Sequence, residues 1–284
     1  MTALLSYIKI LRPHQWLKNL LLLFPPFFAG KMVDPSVRSA VIPALLSFSL
    51  AASCGYIIND IKDRMADRNH VIKKQRVIAK GELTVVFAAV IAAVLYVAAL
   101  LISSNYVSRR FEWFLLMYLF VSLTYTFFLK DIVLVDIFFI SFGFLLRVLA
   151  GGEAFRTTVT SWLFLTVFMI SLLLAAGKRL GELVSLGDAA HSHRRSLTHY
   201  SQSFLEGILW FSASASLVTY ALYTLEQANG IFHTVPIAAF GLLRYIYIVK
   251  QGQGDPTEAL LKDGQITAVG IVWVFVIGAI IYIR

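Results

Sequence analysis

Residues 55–67 read Gly55-Tyr56-Ile57-Ile58-Asn59-Asp60-Ile61-Lys62-Asp63-Arg64-Met65-Ala66-Asp67, an apolar run that passes into a charged one without a turn signal. If the helix continues, Asp60, Asp63 and Asp67 stand at i, i+3 and i+7 on one face. Asn59, Asp63 and Asp67 are spaced by fours on an adjoining stripe. Three carboxylates on one face repel each other unless a cation sits among them. Hard oxygen ligands suit Mg²⁺, which keeps waters and takes the rest of its shell from substrate phosphates. Two readings stand. One is a solvated helix end neutralised by Lys62, Arg64 and Arg68. The other, favoured by the preceding span and the basic loop that follows, is a Mg²⁺–diphosphate site at a membrane edge.

The chain around this stretch is that of a membrane protein. Of its 284 residues 58% are hydrophobic and 14% charged, against roughly 25% charged in an ordinary soluble domain. Soluble globular, disordered and disulfide-rich classes are excluded. One cysteine, Cys54, excludes an internal disulfide and a CxxC metal site. A membrane-spanning helix takes about 20 apolar residues, and nine windows qualify: about 17–34, 39–58, 84–103, 112–129, 131–150, 160–177, 204–224, 231–249 and 266–283. The expected fold is all-α, a nine-span bundle forming a single membrane domain over 1–284. The first span is expected to kink or break at Pro25-Pro26. Residues 2–12, with Leu4, Leu5, Ile8 and Leu11 on one face, read as a short interfacial helix. No cleavable signal is expected.

The formal charge of +9 is sided. With the N-terminus cytoplasmic, seventeen of the 25 Lys and Arg fall in inner segments and six in outer ones, the asymmetry of the positive-inside rule. Most acidic residues lie on the inner side too, in loops at about 59–83, 178–203 and 250–265. Charge of both signs there points to a polar site facing the cytoplasm, in the cell (inner or plasma) membrane. Nucleic acid drops away as a partner, membrane lipid is implied, and nothing specifies an oligomeric state. Lys73 and Arg76, in the loop after the stripe, read as anion ligands, because a guanidinium grips phosphate with two donors.

The Asn59-Asp60-x-x-Asp63-x-x-x-Asp67 pattern resembles the NDxxDxxxD motif of the UbiA superfamily of intramembrane prenyltransferases. That resemblance extends over essentially the whole chain. It implies nine helices around a central cavity with a lateral opening to lipid. In detail the chain is similar to the branch that transfers 5-phosphoribose from phosphoribosyl diphosphate to decaprenyl phosphate. Arg12-Pro13-His14-Gln15-Trp16-Leu17-Lys18-Asn19 resembles its RPxQWxKN. Lys130, Asp136 and Arg147-Val148-Leu149-Ala150-Gly151-Gly152 resemble its LK…D…RxxAGG. Gly177-Lys178-Arg179-Leu180-Gly181-Glu182 is similar to GKRxxE, and Arg244-Tyr245 with Gly254-Asp255-Pro256-Thr257-Glu258 and Asp263 to RY…GDPTE…D. The loop after the stripe departs from the branch, with Val71 and Val77 where HPxKxxRP has prolines.

The resemblance implies catalytic and metal-binding roles for Asp60, Asp63 and Asp67, with Asn59 beside them. It implies substrate-binding roles for Lys18, Asn19, Lys73, Arg76, Lys130, Asp136, Lys178, Arg179, Glu182 and Arg244. The cofactor implied is Mg²⁺, or Mn²⁺ in its place. The substrates implied are phosphoribosyl diphosphate and a polyprenyl phosphate, for cell-envelope arabinan precursors. At the sixth span the residues discriminate further. Aromatic prenyltransferases of the superfamily carry a second DxxxD motif there. Lys178, Arg179, Glu182 and Asp188 make a poor metal site and a better phosphate clamp, with Glu182 a partner of Lys178 or a ribose hydroxyl acceptor. Asp136, near the inner end of the fifth span, is expected to join the site. Arg147, near the outer end, is expected to be structural, and Arg244 to bind the acceptor phosphate. His191, His193 and His199 are not expected to bind metal. The alternative within the fold is an aromatic or quinone-type prenyltransferase using a prenyl diphosphate. A lipid or solute transporter is the alternative of another class, but inverted repeats with paired broken helices are lacking.

Overall fold

The computed structural model describes residues 8–69, 73–186, 195–227 and 230–283. Among these the regular structure is entirely helical, and eight helices are long and apolar enough to cross a membrane. After a 3₁₀ segment at Pro13–Leu23, the α-helices are α1 (Phe24–Phe28), α2 (Pro35–Arg68), α3 (Val77–Lys80), α4 (Val85–Tyr106), α5 (Arg109–Thr124), α6 (Val135–Ala154), α7 (Ser161–Leu186), α8 (Gln202–Glu226), α9 (Val235–Lys250), α10 (Pro256–Lys262) and α11 (Gly264–Tyr282). A π-type turn, Tyr125–Leu129, prolongs α5. Leu4 and Leu5 of the expected interfacial helix lie outside the described residues, and residues 8–11 are helical.

The first expected span takes a different form. It is a 3₁₀ helix that gives way to the short α1, not one α-helix with a central kink. The prolines set where it ends. Leu22's carbonyl faces Pro25 and Pro26 at i+3 and i+4, and neither has an N–H to donate. That carbonyl lies against Gly151 of α6, where an added Cβ would stand 2.0 Å from the Leu22 oxygen. Glycine is therefore required at 151 by the close approach of a second backbone.

The chain divides into two compact units. One holds residues 1–26, 31–130 and 146–158, and the other 27–30, 131–145 and 159–284. In the first unit α2 is the central element, packed along α4 and α5. Its inner face is built from small residues, Ala44, Ser47, Ala51, Ala52, Cys54 and Gly55, all buried. Small side chains let helices approach closely in lipid, where packing drives association. At Gly55 an added Cβ would meet the Ser122 hydroxyl at 2.9 Å. Phe48, Phe111, Leu115 and Leu146 fill the wider spaces. At 1.5 Å per residue α2 is about 50 Å long, against a hydrocarbon core of about 30 Å. It therefore carries Asn59 to Asp67 in continuous helix past the apolar run, as the spacing predicts.

In the second unit α7 and α8 form the principal pair, with α9 and the first part of α6 beside them. Its core joins Ile137, Leu173, Leu180, Leu205, Leu209 and Val249. The loop before α10 comes unusually close to α7. A Cβ at Gly181 would stand 2.4 Å from the Gly254 nitrogen, and one at Gly254 would stand 2.2 Å from the Gly177 oxygen. Tyr245 of α9 locks this contact by donating its hydroxyl to the Gly254 carbonyl at 3.1 Å.

Candidate active-site clusters

The carboxylate stripe sits at the far end of α2, and the structure gives each carboxylate a cationic partner. Arg76 Nη1 donates to Asp60 Oδ1 at 3.0 Å and to Asp67 Oδ2 at 2.7 Å. Arg12 Nη2 reaches the same Asp60 oxygen at 2.5 Å. Lys130 is paired with Asp63. Asp60 and Asp67 are buried. Asn59 accepts a hydrogen bond at its side-chain oxygen from Thr126 in the turn after α5, at 3.3 Å. The expected set of three carboxylates thus divides: Asp60 and Asp67 converge on one nitrogen, and Asp63 turns to Lys130. Among the described residues no three His, Cys, Asp or Glu side chains gather as a ready metal cage. Mg²⁺ needs no such cage, because one or two carboxylates plus substrate phosphates serve it. The guanidinium shared by Asp60 and Asp67 marks a point where a cation satisfies both. That hard-oxygen pair fits a divalent ion.

Local structure holds these groups in place. Arg12 has a left-handed backbone (φ 53°) just before the 3₁₀ segment. Its guanidinium lies 5.6 Å from the Tyr56 ring centre on α2. Trp16 Nε1 donates to Ser53 Oγ at 3.0 Å, and Ser53 donates to the Leu11 carbonyl at 2.8 Å, so the segment is pinned on both sides of Arg12. Arg76 precedes α3 in extended conformation (φ −65°, ψ 142°), and Val77, Ile78 and Ala79 are buried. Val77 is therefore the first helical residue, a position where proline also fits a helix. Arg68 Nε donates to the Ala79 carbonyl at 3.1 Å and ties α3 back to α2. Lys73 acts through space on Asp67. His70, Val71 and Ile72 lie outside the described residues.

Besides Arg76 and Lys130, two more residues assigned to substrate from the sequence have internal partners in this unit. Asn19 is wholly buried, donating to Ser49 Oγ at 2.9 Å and accepting from Arg147 Nε at 2.9 Å. Lys18 is hydrogen-bonded to Gln15. Arg147 also donates to the Tyr118 hydroxyl at 3.1 Å and lies 4.7 Å from that ring's centre. It sits one turn before Gly151 on α6, and together the two hold the 3₁₀ segment against that helix.

The second unit carries a cluster of its own. Asp136, at 0% exposure, accepts from Arg179 Nε at 2.7 Å and from the Tyr200 hydroxyl at 2.7 Å. The Tyr200 oxygen in turn accepts the Leu134 N–H at 2.7 Å. Burial and the donated bond to Asp136 push the Tyr200 phenol well above its ordinary range, so it stays a proton donor. Arg179, at 1% exposure, also donates to Glu182 at 3.1 Å. Glu182 is thus the partner of Arg179, where the sequence offered Lys178 or a ribose. Lys178, with 37% of its side chain exposed, pairs with Asp255 at 3.2 Å. The other oxygen of Asp255 caps α10 through the Thr257 and Glu258 N–H groups. Arg244 is bidentate on Asp263, at 2.7 and 3.3 Å, and Asp263 caps α11 through the Ile266 N–H at 2.9 Å. Asp188, His191 and His193 lie outside the described residues, and His199 ends the short turn Arg195–His199.

Arg12, Thr126, Tyr200, Asp255 and Asp263 are the members of these clusters that sequence reasoning did not assign. Arg12 stood in a quoted motif, and Asp255 and Asp263 in another. Their carboxylate and guanidinium partners are what the sequence does not print.

The sequence pattern of the UbiA prenyltransferase family matches residues 21–269. The chain is 36% identical to the decaprenyl-phosphate phosphoribosyltransferase of Mycolicibacterium smegmatis, over 97% of this chain and 92% of that protein. It is 32% identical to the protein of that name from Corynebacterium glutamicum, over 97% of this chain and 86% of that one. Among solved structures it is similar to a UbiA homolog from Archaeoglobus fulgidus bound to DMAPP and Mg²⁺, with a TM-score of 0.76 and 19% identity over 96% of this chain and 99% of the other. That last likeness concerns the fold.

Proposed function

Because the chain belongs to the UbiA prenyltransferase family, we propose that it is a decaprenyl-phosphate phosphoribosyltransferase, moving 5-phosphoribose from phosphoribosyl diphosphate to a polyprenyl phosphate. The observation that carries this reading is the match along nearly the whole chain to relatives of that name. The polar clusters support it. At α7 the chain offers Lys178, Arg179 and Glu182, with the acid already engaged by Arg179. A second metal-binding acidic motif for a prenyl diphosphate has no counterpart among the described residues there.

Asp60 and Asp67, with Asp63 beside them, would hold a divalent cation, Mg²⁺ or Mn²⁺. When bound, it would neutralise the charge that develops on the departing diphosphate. The chain's own residues do the rest. Arg12, Arg76 and Lys130 attract phosphate oxygens and stabilise the same developing charge, and such electrostatic stabilisation usually dominates catalysis of this kind. Lys73 adds to that field. In the second unit Lys178 and Arg244 are the partly exposed cations, and we assign them to anion binding. Arg179 and Asp136, being buried on each other, are positioning residues that fix Glu182 and Tyr200. Asn19 positions Arg147. The acceptor phosphate is mostly dianionic near pH 7, its second pKa being about 6. Its attack on C1, inverting that carbon, needs no general base. The stripe and its basic loop would face the cytoplasm of a plasma-membrane enzyme serving cell-envelope arabinan synthesis.

The test incubates purified protein with Mg²⁺, polyprenyl phosphate and labelled phosphoribosyl diphosphate. A parallel reaction contains a labelled prenyl diphosphate and 4-hydroxybenzoate. Label is expected in lipid in the first reaction. Product in the second reaction alone would replace this reading with an aromatic prenyltransferase.

A further inference from the structure

Three carboxylates at the end of α2 are matched by three cations: Arg12 on Asp60, Arg76 on Asp60 and Asp67, and Lys130 on Asp63. Asp60 Oδ1 and Asp67 Oδ2 lie 3.0 and 2.7 Å from the same Arg76 nitrogen, close enough for the two carboxylates to repel each other. The Arg76 guanidinium occupies the point between them and uses the oxygens that a metal would use. A divalent ion and a guanidinium cannot share that point, because like charges a few ångströms apart in a partly buried site repel strongly.

We propose that Arg76, assisted by Arg12, is a resident counter-cation that exchanges places with the metal. It holds the two carboxylates together while the site is empty and moves onto the diphosphate when the metal enters. The proposal rests on the metal–diphosphate reading above and deepens it. Arg76 cannot leave the neighbourhood when displaced. Its backbone is fixed by the buried start of α3 and by the Arg68 tie to Ala79. A displaced guanidinium with no carboxylate is costly unless an anion receives it. Metal and diphosphate therefore bind with positive coupling, and metal alone binds weakly. By linkage the coupling is the same in both directions.

Mn²⁺ binding to the full-length protein in lipid nanodiscs tests this. Mn²⁺ retained by the nanodiscs is measured after their separation from solution, with and without inorganic diphosphate, and protein-free nanodiscs in the same Mn²⁺–diphosphate mixture give the blank. Wild type is expected to bind Mn²⁺ on the order of tenfold more tightly with diphosphate present, the equivalent of one charge-assisted hydrogen bond. Arg76→Ala is expected to bind Mn²⁺ alone more tightly than wild type, and to lose most of the enhancement by diphosphate. Arg76→Lys, which keeps the charge but cannot bridge two carboxylates, is expected to lie between, and serves if the alanine variant does not fold. Metal-only affinity in both variants equal to or below that of wild type would overturn the exchange alone. Asp60→Asn and Asp67→Asn binding Mn²⁺ and diphosphate as wild type does would remove the metal-site reading and the exchange with it.

Discussion

Asp60 accepts from two guanidiniums through one oxygen, and Asp67 shares the second of them. The metal-ligand roles proposed for them predict that Asp60→Asn or Asp67→Asn lowers transfer by on the order of 10²–10³, the usual cost of losing an electrostatic stabiliser of the transition state. Asp63→Asn, removing the partner of Lys130, is expected to cost less. Initial rates in reconstituted vesicles, normalised to inserted protein, check the order. Lys178→Ala is expected to raise the KM for phosphoribosyl diphosphate about tenfold with kcat less changed, the signature of lost ground-state binding. An unchanged KM would leave Lys178 as a marker of the membrane boundary. The stripe was legible in the sequence because helical spacing is local. Arg12 was not, because its partner lies 48 residues away. The same distance problem hid Asp136 with Arg179 and Arg147 with Asn19, separated by 43 and 128 residues.

At the scale of elements, windows of apolar residues located eight spanning helices, and periodicity carried α2 through to Arg68. The first window, expected to kink or break at Pro25-Pro26, is two short helical pieces, not one long helix. Composition registers Leu17 to Phe28 as greasy but does not distinguish an α-helix from the 3₁₀ segment found, which lies on Gly151 and ends where two prolines leave the Leu22 carbonyl without a helical donor. The approach of α7 to the loop before α10 rests on Gly181 and Gly254 in the same way. Gly181→Ala is expected to destabilise the protein by about 1–3 kcal/mol, since the obstructing atoms are backbone and cannot rotate aside. Thermal unfolding in detergent reads this, and Gly207→Ala, inside α8 with open space around it, is the control that should not destabilise. The cap of α11 titrates. The Arg244 guanidinium, and after it the Ile266 N–H, hold the Asp263 carboxyl below the usual carboxylate range. A lowered folded value means that its contribution is complete above the unfolded pKa of about 3.9 and is lost as pH falls through the folded value. The melting-temperature gap between wild type and Asp263→Asn should therefore hold steady down to about pH 4 and shrink below it. A gap that instead shrank on going from pH 8 to pH 6 would assign the effect to another group.

For the molecule as a whole, the bias of lysine and arginine predicts an N-terminus and a 250–265 loop on the cytoplasmic side. Ser36 and Gln251 are exposed and fall on opposite sides in that topology. A membrane-impermeant maleimide applied to intact cells should modify Ser36→Cys and reach Gln251→Cys only after permeabilisation; the reverse pattern would invert the topology. The division into two compact units was not legible from the apolar windows, because every span looks alike by composition. The design of that labelling experiment rests on Cys54. It is the chain's one thiol and lies 3% exposed in the packed face of α2. The wild-type protein is therefore a nearly silent background for sulfhydryl reagents. Single cysteines placed elsewhere can carry spin labels or fluorophores, with no native thiol to remove first.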